Sequence, residues 1–353
     1  MKFFNQSTQD TFMIFKKNAG FNAFSLISIS ILFATLSLII GCEKESEITQ
    51  KAYKVGIVLF GDSRQPQVEG FKAELSKLGY KPGDTIHYIT QNAKNKRPQL
   101  KPMVEELLAQ EVDLLVAAGG LEADTMKKVI KDETPVVVLY VNAIVERDLV
   151  KTRLDPGWNV TGVDNLNAEL SSKRIEIMRD LLPSMKKVLI LYYKKIAPSR
   201  IGVEQATEIA KNMNISIDSR AVNNRAEIQQ IMESLKPGDV DAMLTVPTAP
   251  IDNALKEIIL PQIKRLKLPL MTHSRPLAAK GSMASYGAHF YDLGTQAARL
   301  ANKILTGTAA NKIPFETPKK FIYTLNSDVQ KEFNIELTEL AKSQINEYIT
   351  TNK

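Results

Sequence analysis

The two halves of this chain of 353 residues repeat one series of apolar segments in the same order. The matching pairs are VGIVLF at Val55 with VLILYY at Val188, VDLLVAAGG at Val112 with VDAMLTVPT at Val240, and TPVVVLYVN at Thr134 with LPLMTHSRP at Leu268. Their offsets are 133, 128 and 134 residues, a period far longer than that of a solenoid repeat. The repeat therefore predicts two lobes of the same topology.

Each half alternates short apolar runs with amphipathic stretches. The predicted strands are Val55–Phe60, Ile86–Tyr88, Leu114–Ala118, Val136–Val141 and Phe321–Leu325, and the predicted helices are Gln67–Leu78, Gln99–Gln110, Leu121–Lys131, Ala168–Leu182, Tyr291–Leu305 and Leu337–Ile349. Such alternation is typical of parallel sheets with right-handed crossovers. We expect an α/β fold of two doubly wound, Rossmann-like lobes joined by a hinge.

The lobe boundaries follow from the connectors. Pro156–Asn165 is rich in Pro, Gly and Asn and is predicted to be an extended connector, and the chain returns at Gly281–Tyr286. The expected N-terminal lobe is 53–163 plus 287–320, and the expected C-terminal lobe is 164–286 plus 321–353. A cleft between two hinged lobes is a common ligand site.

The segment Val112–Val129 combines a buried strand, a two-glycine turn and a helix start. This arrangement leaves free backbone N–H groups of Gly119, Gly120 and Leu121 at the carboxyl end of a parallel sheet, where small ligands bind in open α/β folds. The alternative is a structural turn that needs glycine only for its conformation.

The N-terminus is predicted to be an export signal rather than part of the fold. Lys16 and Lys17 precede the uncharged, apolar segment Phe21–Ile40, which ends at Gly41-Cys42. Residues 1–41 would be removed, and 42–52 would form a polar tether. An uncleaved membrane anchor is the alternative, and translation from Met13 would give a more ordinary signal.

Composition and motifs argue against several functional classes. The net charge of +7 falls to +5 without residues 1–41, and no arginine-rich stripe indicates nucleic-acid binding. The chain has no GxSxG, HExxH, P-loop or GxGxxG motif, and its three histidines are scattered. We therefore predict neither an enzyme nor a bound metal or cofactor.

Several segments resemble the ABC transporter substrate-binding proteins of the tryptophan/tyrosine type. They are VEGFKAELSKLGY from Val68, NVTGV from Asn159, MRDLLPSMKKVLILY from Met178, the VPT of Val246–Thr248, KGSMASYGAHFYDLG from Lys280 and KIPFETPKKF from Lys312. The resemblance implies a type I periplasmic binding protein fold and a monomeric protein that captures a small molecule. It also implies delivery of that ligand to a permease driven by an ATPase, without chemistry on the ligand.

Ile39–Cys42 is similar to a bacterial lipobox. The sole cysteine of the chain, Cys42, would then carry a lipid that holds the exported protein to a membrane of the bacterial cell envelope.

The resemblance also implies ligand contacts on loops that follow strands. These candidates are Asp62, Ser63, Arg64, Gly119, Gly120, Leu121 and Asn142 in the first half, and Tyr193, Lys194, Thr248, His273, Ser274, Arg275, Gly287, His289 and Tyr291 in the second. Loops where the family often has acidic groups carry no acid here, as in Thr248–Pro250 and Thr272–Arg275. The expected ligand is an amino acid or a small organic anion. Because a buried ammonium needs an acidic partner, these loops favour an anionic or neutral ligand, with Arg64 or Arg275 as the partner of an anion.

Two alternatives remain open on the sequence alone. In the first, Arg64 and Arg275 are loop charges that contact solvent, and the rings of Tyr193 and Tyr291 pack against the protein and not against a ligand. A ligand-binding sensor subunit that passes closure to a signalling receptor needs the same fold as a transport protein.

Overall fold

The computed structural model describes residues 52–131 and 133–351. The predicted signal peptide 1–41, Cys42 and the tether up to Lys51 lie outside the described residues. Within the described part of the chain, no helix combines the length and apolar character needed to cross a membrane.

The first sheet has five parallel strands in the order β2-β1-β3-β4-β5. They are β1 (Tyr53–Leu59), β2 (Ile86–Asn92), β3 (Leu114–Ala117), β4 (Val136–Val141) and β5 (Val160–Asp164). Every residue of β3 and β4 is buried. This fits their unbroken apolar runs, because a strand between two layers of helices has no solvent face.

The second sheet repeats this order and extends it. Its strands are β6 (Lys187–Tyr192), β7 (Ser216–Ala221), β8 (Ala242–Thr245), β9 (Leu270–Thr272), β10 (Ala284–Gly287), β11 (Ile322–Asn326) and β12 (Glu347–Ile349). The order β7-β6-β8-β9-β10 matches that of the first sheet strand for strand, and β11, antiparallel to β10, and β12 follow. The repeat predicted from the segment offsets is thus present in the topology.

Helices cover both faces of the two sheets. They are α1 (Gln65–Lys77), α2 (Leu100–Ala109), α3 (Gly120–Val129), α4 (Ser171–Leu181), α5 (Ala197–Asn212), α6 (Arg225–Ser234), α7 (Ala249–Ala254), α8 (Leu260–Leu266), α9 (Arg275–Ala279), α10 (Phe290–Leu305), α11 (Ser327–Glu332) and α12 (Glu339–Gln344). A π-helical turn, Leu255–Ile259, joins α7 to α8. Each sheet therefore has a separate apolar core on either face.

Helix α10 lies in sequence between strands β10 and β11 of the second sheet but packs on the first sheet. Leu293, Ala297 and Leu300 lie in the same apolar core as Val55 and Phe71. Helices α1 and α10 approach closely because glycines lie at the contact: a Cβ on Gly70 would lie 2.1 Å from the carbonyl oxygen of Tyr291. The chain therefore crosses between the lobes more than once.

Arg174 is a fully buried arginine at two of these crossings. Its Nε donates to the carbonyl oxygen of Tyr286 at 2.8 Å, and its terminal nitrogens donate to the carbonyl and Oδ1 of Asn167 at 2.6 and 2.8 Å. Burial lowers the pKa of Arg174 to about 9, so the guanidinium is charged at neutral pH. Arg174 thus joins the segment after β5 to strand β10 itself.

Two sequence predictions about elements are wrong. The expected connector Pro156–Asn165 contains β5, whose residues are all buried. The expected terminal helix Leu337–Ile349 is a short helix, α12, followed by β12. In both cases pairing with a neighbouring strand far away in sequence outweighs the local pattern.

Candidate functional site

The loops after the strands of the two sheets approach each other around Arg64 and Asp252. Arg64 follows β1 and precedes α1, whereas Asp252 lies in α7, which follows β8. The positive charge of Arg64 acts on the carboxyl group of Asp252 across the boundary between the sheets. We call the space bounded by Arg64, Tyr140, Asp252 and His273 the cleft.

Arg64 lies on the first-sheet side of the cleft. Its guanidinium carbon is 5.3 Å from the centre of the Tyr140 ring, within the range of a cation–π contact. Its Nε is 3.5 Å from Oε1 of Glu122, a fully buried carboxylate that also accepts a hydrogen bond from the backbone N–H of Phe60 at 2.8 Å. The Nε of Arg64 is itself buried and has no hydrogen-bond partner.

The Gly119-Gly120 turn lets two arginines approach the start of α3. A Cβ on Gly119 would lie 2.8 Å from Nε of Arg64, and one on Gly120 would lie 2.5 Å from a terminal nitrogen of Arg147. Gly119 is extended and Gly120 is the first residue of α3, and any residue can adopt these backbone conformations. Glycine is required here because the neighbouring arginines leave no room for a side chain. The turn lies beside Arg64, as expected for a position at the cleft.

Asp252 and His273 form the second-sheet side of the cleft. Oδ2 of Asp252 lies 3.5 Å from Nε2 of His273. Burial raises the pKa of Asp252 to about 7, against the opposing effects of Lys280 and Arg64. Burial, with a smaller contribution from Arg174, lowers the pKa of His273 to about 3, so the imidazole is neutral and the two groups are not an ion pair.

Several buried polar atoms around the cleft have no hydrogen-bond partner in the described protein. They are Nε of Arg64, Oε1 and Nε2 of Gln67, Oε2 of Glu122, Oγ1 of Thr248, Oδ1 of Asp252, Nδ1 of His273 and Oγ of Ser285. Buried polar groups are nearly always paired, and each unpaired one costs about 1–3 kcal/mol. Such a concentration at one place indicates a site that a polar ligand or ordered water completes.

The structure brings some of the predicted residues to the cleft and leaves others away from it. Arg64, Gly119, Gly120, Thr248 and His273 lie around it. Ser63 is exposed, Leu121 is half-buried in the first turn of α3, and the carbonyl of buried Asn142 accepts a hydrogen bond from Arg147 at 3.4 Å.

The remaining candidates have other partners. The backbone N–H of Tyr193 donates to Ser199, and its ring packs on an apolar core. Ser274 is buried as the residue before α9. Exposed Arg275 donates to both oxygens of Glu347 at 2.8 and 3.0 Å, away from Arg64 and Asp252, and half-exposed His289 lies 3.4 Å from Asp292.

The sequence prediction missed three groups: Asp252, Glu122 and Gln67. The loops named in the sequence analysis carry no acid, but the helix after one of them does. Thr248 begins the helix that contains Asp252, so the acid lies one turn further on the same helix face. The spacing of four residues between Thr248 and Asp252 is the sequence signal that could have indicated an acid beside Thr248.

The chain matches known proteins along most of its length. A family model described as ABC transporter substrate binding protein matches residues 54–347. A curated relative, the tyrosine-binding protein of Clostridioides difficile, is 27% identical over 325 residues, which cover 88% of this chain and 92% of the relative.

Solved structures share the fold. The ABC domain of Streptococcus pneumonia in complex with L-Trp superimposes with a TM-score of 0.77 at 22% identity, covering 85% of this chain and all of that one. A ligand-free, open substrate-binding protein with adhesive properties from Clostridium difficile gives a TM-score of 0.71 at 24% identity, with the same coverage of this chain and all of that one. These similarities agree with the two-lobed architecture.

Proposed function

The chain belongs to the family of ABC transporter substrate-binding proteins, and on this premise we propose that it binds an aromatic α-amino acid in the cleft and delivers it to an ABC permease. The family and the type I periplasmic binding protein fold predicted from the sequence are confirmed. The family consists of solute-binding proteins that act outside the cytoplasm, so the chain is not an enzyme.

One observation carries the ligand proposal: Arg64, a cation, and Asp252, an acid whose pKa is about 7, face one cleft, and within the described residues each has a buried atom without a hydrogen-bond partner. An α-amino acid has a carboxylate and an ammonium on one carbon. A carboxylate accepts charge-assisted hydrogen bonds from a guanidinium, and an ammonium donates them to a carboxylate. The site therefore suits a zwitterion better than the anion suggested by the loop sequences.

The aromatic side chain is proposed on independent grounds. The rings of Tyr140 and Phe290 meet edge to face at 5.1 Å beside Arg64 and offer an apolar wall. Two similar proteins have names that point the same way, one as a tyrosine-binding protein and one as a complex with L-Trp. Tyrosine and tryptophan are thus the first ligands to test.

We propose that the lobes comprise 53–163 plus 287–320 and 164–286 plus 321–353, and that they close on the ligand by bending at the crossings. Support comes from the packing of α10 on the first sheet and from Arg174, which joins two crossing segments. Closure would bring Arg64 and Asp252 onto the same ligand, as in other two-lobed proteins that close by a hinge.

We also propose that the protein is exported, lipidated at Cys42 and monomeric. The lipobox-like Ile39–Cys42 and the basic, apolar leader before it support this. A lipid anchor would keep the binding protein near the membrane that holds its permease and ATPase. A sensory role remains the alternative, because closure can also be detected by a receptor.

Ligand binding can be tested on the purified protein by isothermal titration calorimetry and thermal shift. L-tyrosine and L-tryptophan are expected to bind, and a ligand at a hundred times its dissociation constant stabilises the fold by about 2.7 kcal/mol. Dicarboxylates and tricarboxylates serve as the comparison. Binding of these anions in place of both amino acids would contradict the proposal.

A further inference from the structure

We propose that Gln67 determines specificity by selecting amino acids whose ring carries a hydrogen-bonding atom, such as a phenol hydroxyl or an indole N–H, over phenylalanine. The inference rests on the proposed function and names the group that reads the ligand's side chain. Neither the sequence motifs nor the family resemblance pointed to this residue.

Gln67 is fully buried, yet neither polar atom of its amide has a hydrogen-bond partner within residues 52–131 and 133–351. A glutamine amide has two N–H donors and an acceptor oxygen, so it can pair with a hydroxyl or with an N–H. Leaving such a group unpaired inside a protein is costly, and most buried side-chain amides are paired. A ligand side chain that inserts beside Gln67 would supply the missing partner.

Gln67 lies in the first turn of α1, next to Arg64 at the cleft. It lies three residues after Arg64, and residues three apart share one helix face. Helical side chains lean towards the N-terminus of their helix, which here is the end where Arg64 lies. A ligand whose charged end contacts Arg64 can therefore extend its side chain to Gln67.

The surroundings of Gln67 are otherwise apolar. Its carbonyl oxygen would lie 1.9 Å from a Cβ on Gly294, so α10 packs directly against this turn of α1. Val68 and Leu293 lie in the same apolar core as Tyr140, and Phe290 packs against that core. The aromatic ring of a ligand would pack against these apolar side chains. The unpaired amide of Gln67 would then bind a polar atom on that ring.

This arrangement predicts that the Gln67 amide discriminates between tyrosine and phenylalanine. A site that hydrogen-bonds a ligand's hydroxyl or N–H rejects the analogue that lacks it, because the protein group is then left unpaired. Phenylalanine differs from tyrosine by that hydroxyl alone.

The test is calorimetric titration of the full protein with L-tyrosine, L-tryptophan and L-phenylalanine. The wild type is expected to bind tyrosine at least about tenfold more tightly than phenylalanine, because one hydrogen bond at a buried site is worth this much or more. Gln67→Leu and Gln67→Met are expected to reduce that ratio to within about twofold, mainly by weakening tyrosine binding. Gln65→Leu, an exposed glutamine on the same helix, is the control and leaves the ratio unchanged.

The outcomes distinguish the role of Gln67 from the proposed function. Equal affinity of the wild type for tyrosine and phenylalanine, or an unchanged ratio in both Gln67 variants, overturns the inference while the proposed function stands; ordered water then pairs with the amide. Binding of none of the three amino acids overturns the proposed function and the inference with it.

Discussion

Oδ2 of Asp252 lies 3.5 Å from Nε2 of His273, and the partly exposed carboxyl and the buried imidazole share one corner of the cleft without forming an ion pair. Burial favours the neutral form of each: it raises the pKa of Asp252 to about 7 and lowers the pKa of His273 to about 3. Above pH 7 Asp252 is ionised and can pair with a cation. The charges of Arg64 and Lys280 act on this carboxyl, Asp252 acts on Tyr140, and Arg174 acts on His273.

The affinity for an amino acid is expected to depend on pH through Asp252. Because the pKa of Asp252 is about 7 without ligand, the ammonium meets a protonated acid below that pH and a carboxylate above it. The dissociation constant should rise up to about tenfold per pH unit from pH 7 down to pH 5. Titrations between pH 5 and 8 measure this slope.

Asp252→Asn is the matched variant for that measurement. It keeps the shape of the side chain but cannot ionise, so it should bind weakly at every pH and show no slope. A slope that persists in Asp252→Asn would assign the titration to a different group.

Without ligand, Asp252 is expected to destabilise the fold at high pH. Its pKa is raised above the unfolded value of 3.8, so its contribution to stability is complete below that value and is lost as the pH rises to about 7. Asp252→Asn should therefore raise the midpoint of thermal unfolding relative to wild type at pH 8, with a smaller difference at pH 4. Equal differences at both pH values would mean that the carboxyl titrates normally in the folded protein.

Arg64→Ala should weaken amino-acid binding by about 10- to 100-fold, since it removes a charged donor to the ligand carboxylate. It should also lower stability without ligand, because buried Glu122 loses the charge 3.5 Å away. Arg275→Ala is the control: its exposed ion pair with Glu347 is worth no more than about 1 kcal/mol, and affinity should stay within about twofold. Titration and thermal unfolding of both variants separate binding from folding. Equal effects of the two substitutions on affinity would exclude Arg64 as a ligand contact.

Gly294→Ala should destabilise the protein by about 1–3 kcal/mol through overpacking. The added Cβ would lie 1.9 Å from the carbonyl oxygen of Gln67, a backbone atom that cannot move without shifting α1. Urea unfolding measures the change, and Thr295→Ala, at the next and half-exposed position, should alter stability by about 0.5 kcal/mol or less. A neutral Gly294→Ala would show that α1 and α10 can separate without loss.

Cys42→Ser should abolish lipid attachment if the N-terminus is processed as proposed. Mass spectrometry of the N-terminal peptide from cells should find Cys42 as the first residue of the wild type, carrying acyl chains. The variant should instead be released from the membrane or retained with its leader uncut. A wild-type protein that keeps residues 1–41 without lipid would favour the uncleaved anchor.

The sequence by itself determined the architecture. Apolar runs such as Leu114–Ala118 and Val136–Val141 are long enough to be strands and too apolar to have a solvent face, and their recurrence after about 130 residues predicted two lobes. Loops that follow parallel strands meet at one edge of a sheet, so Arg64, Gly119 and His273 could be named before the fold was known. The local sequence pattern was sufficient to predict the strands and the loops that follow them, because both depend on residues that are close in sequence.

Only the tertiary structure decided which charges face one another. Arg64 and Asp252 are 188 residues apart and act on each other only because two similar sheets approach, whereas Arg275 is held by Glu347, 72 residues away. In the sequence, Gln67 is one more polar residue of an amphipathic helix. In the structure it is fully buried, and the close approach of α10 to this turn of α1 is possible because residue 294 is glycine. Burial and charge pairing arise from contacts between distant segments, and the order of residues along the chain does not contain those contacts explicitly.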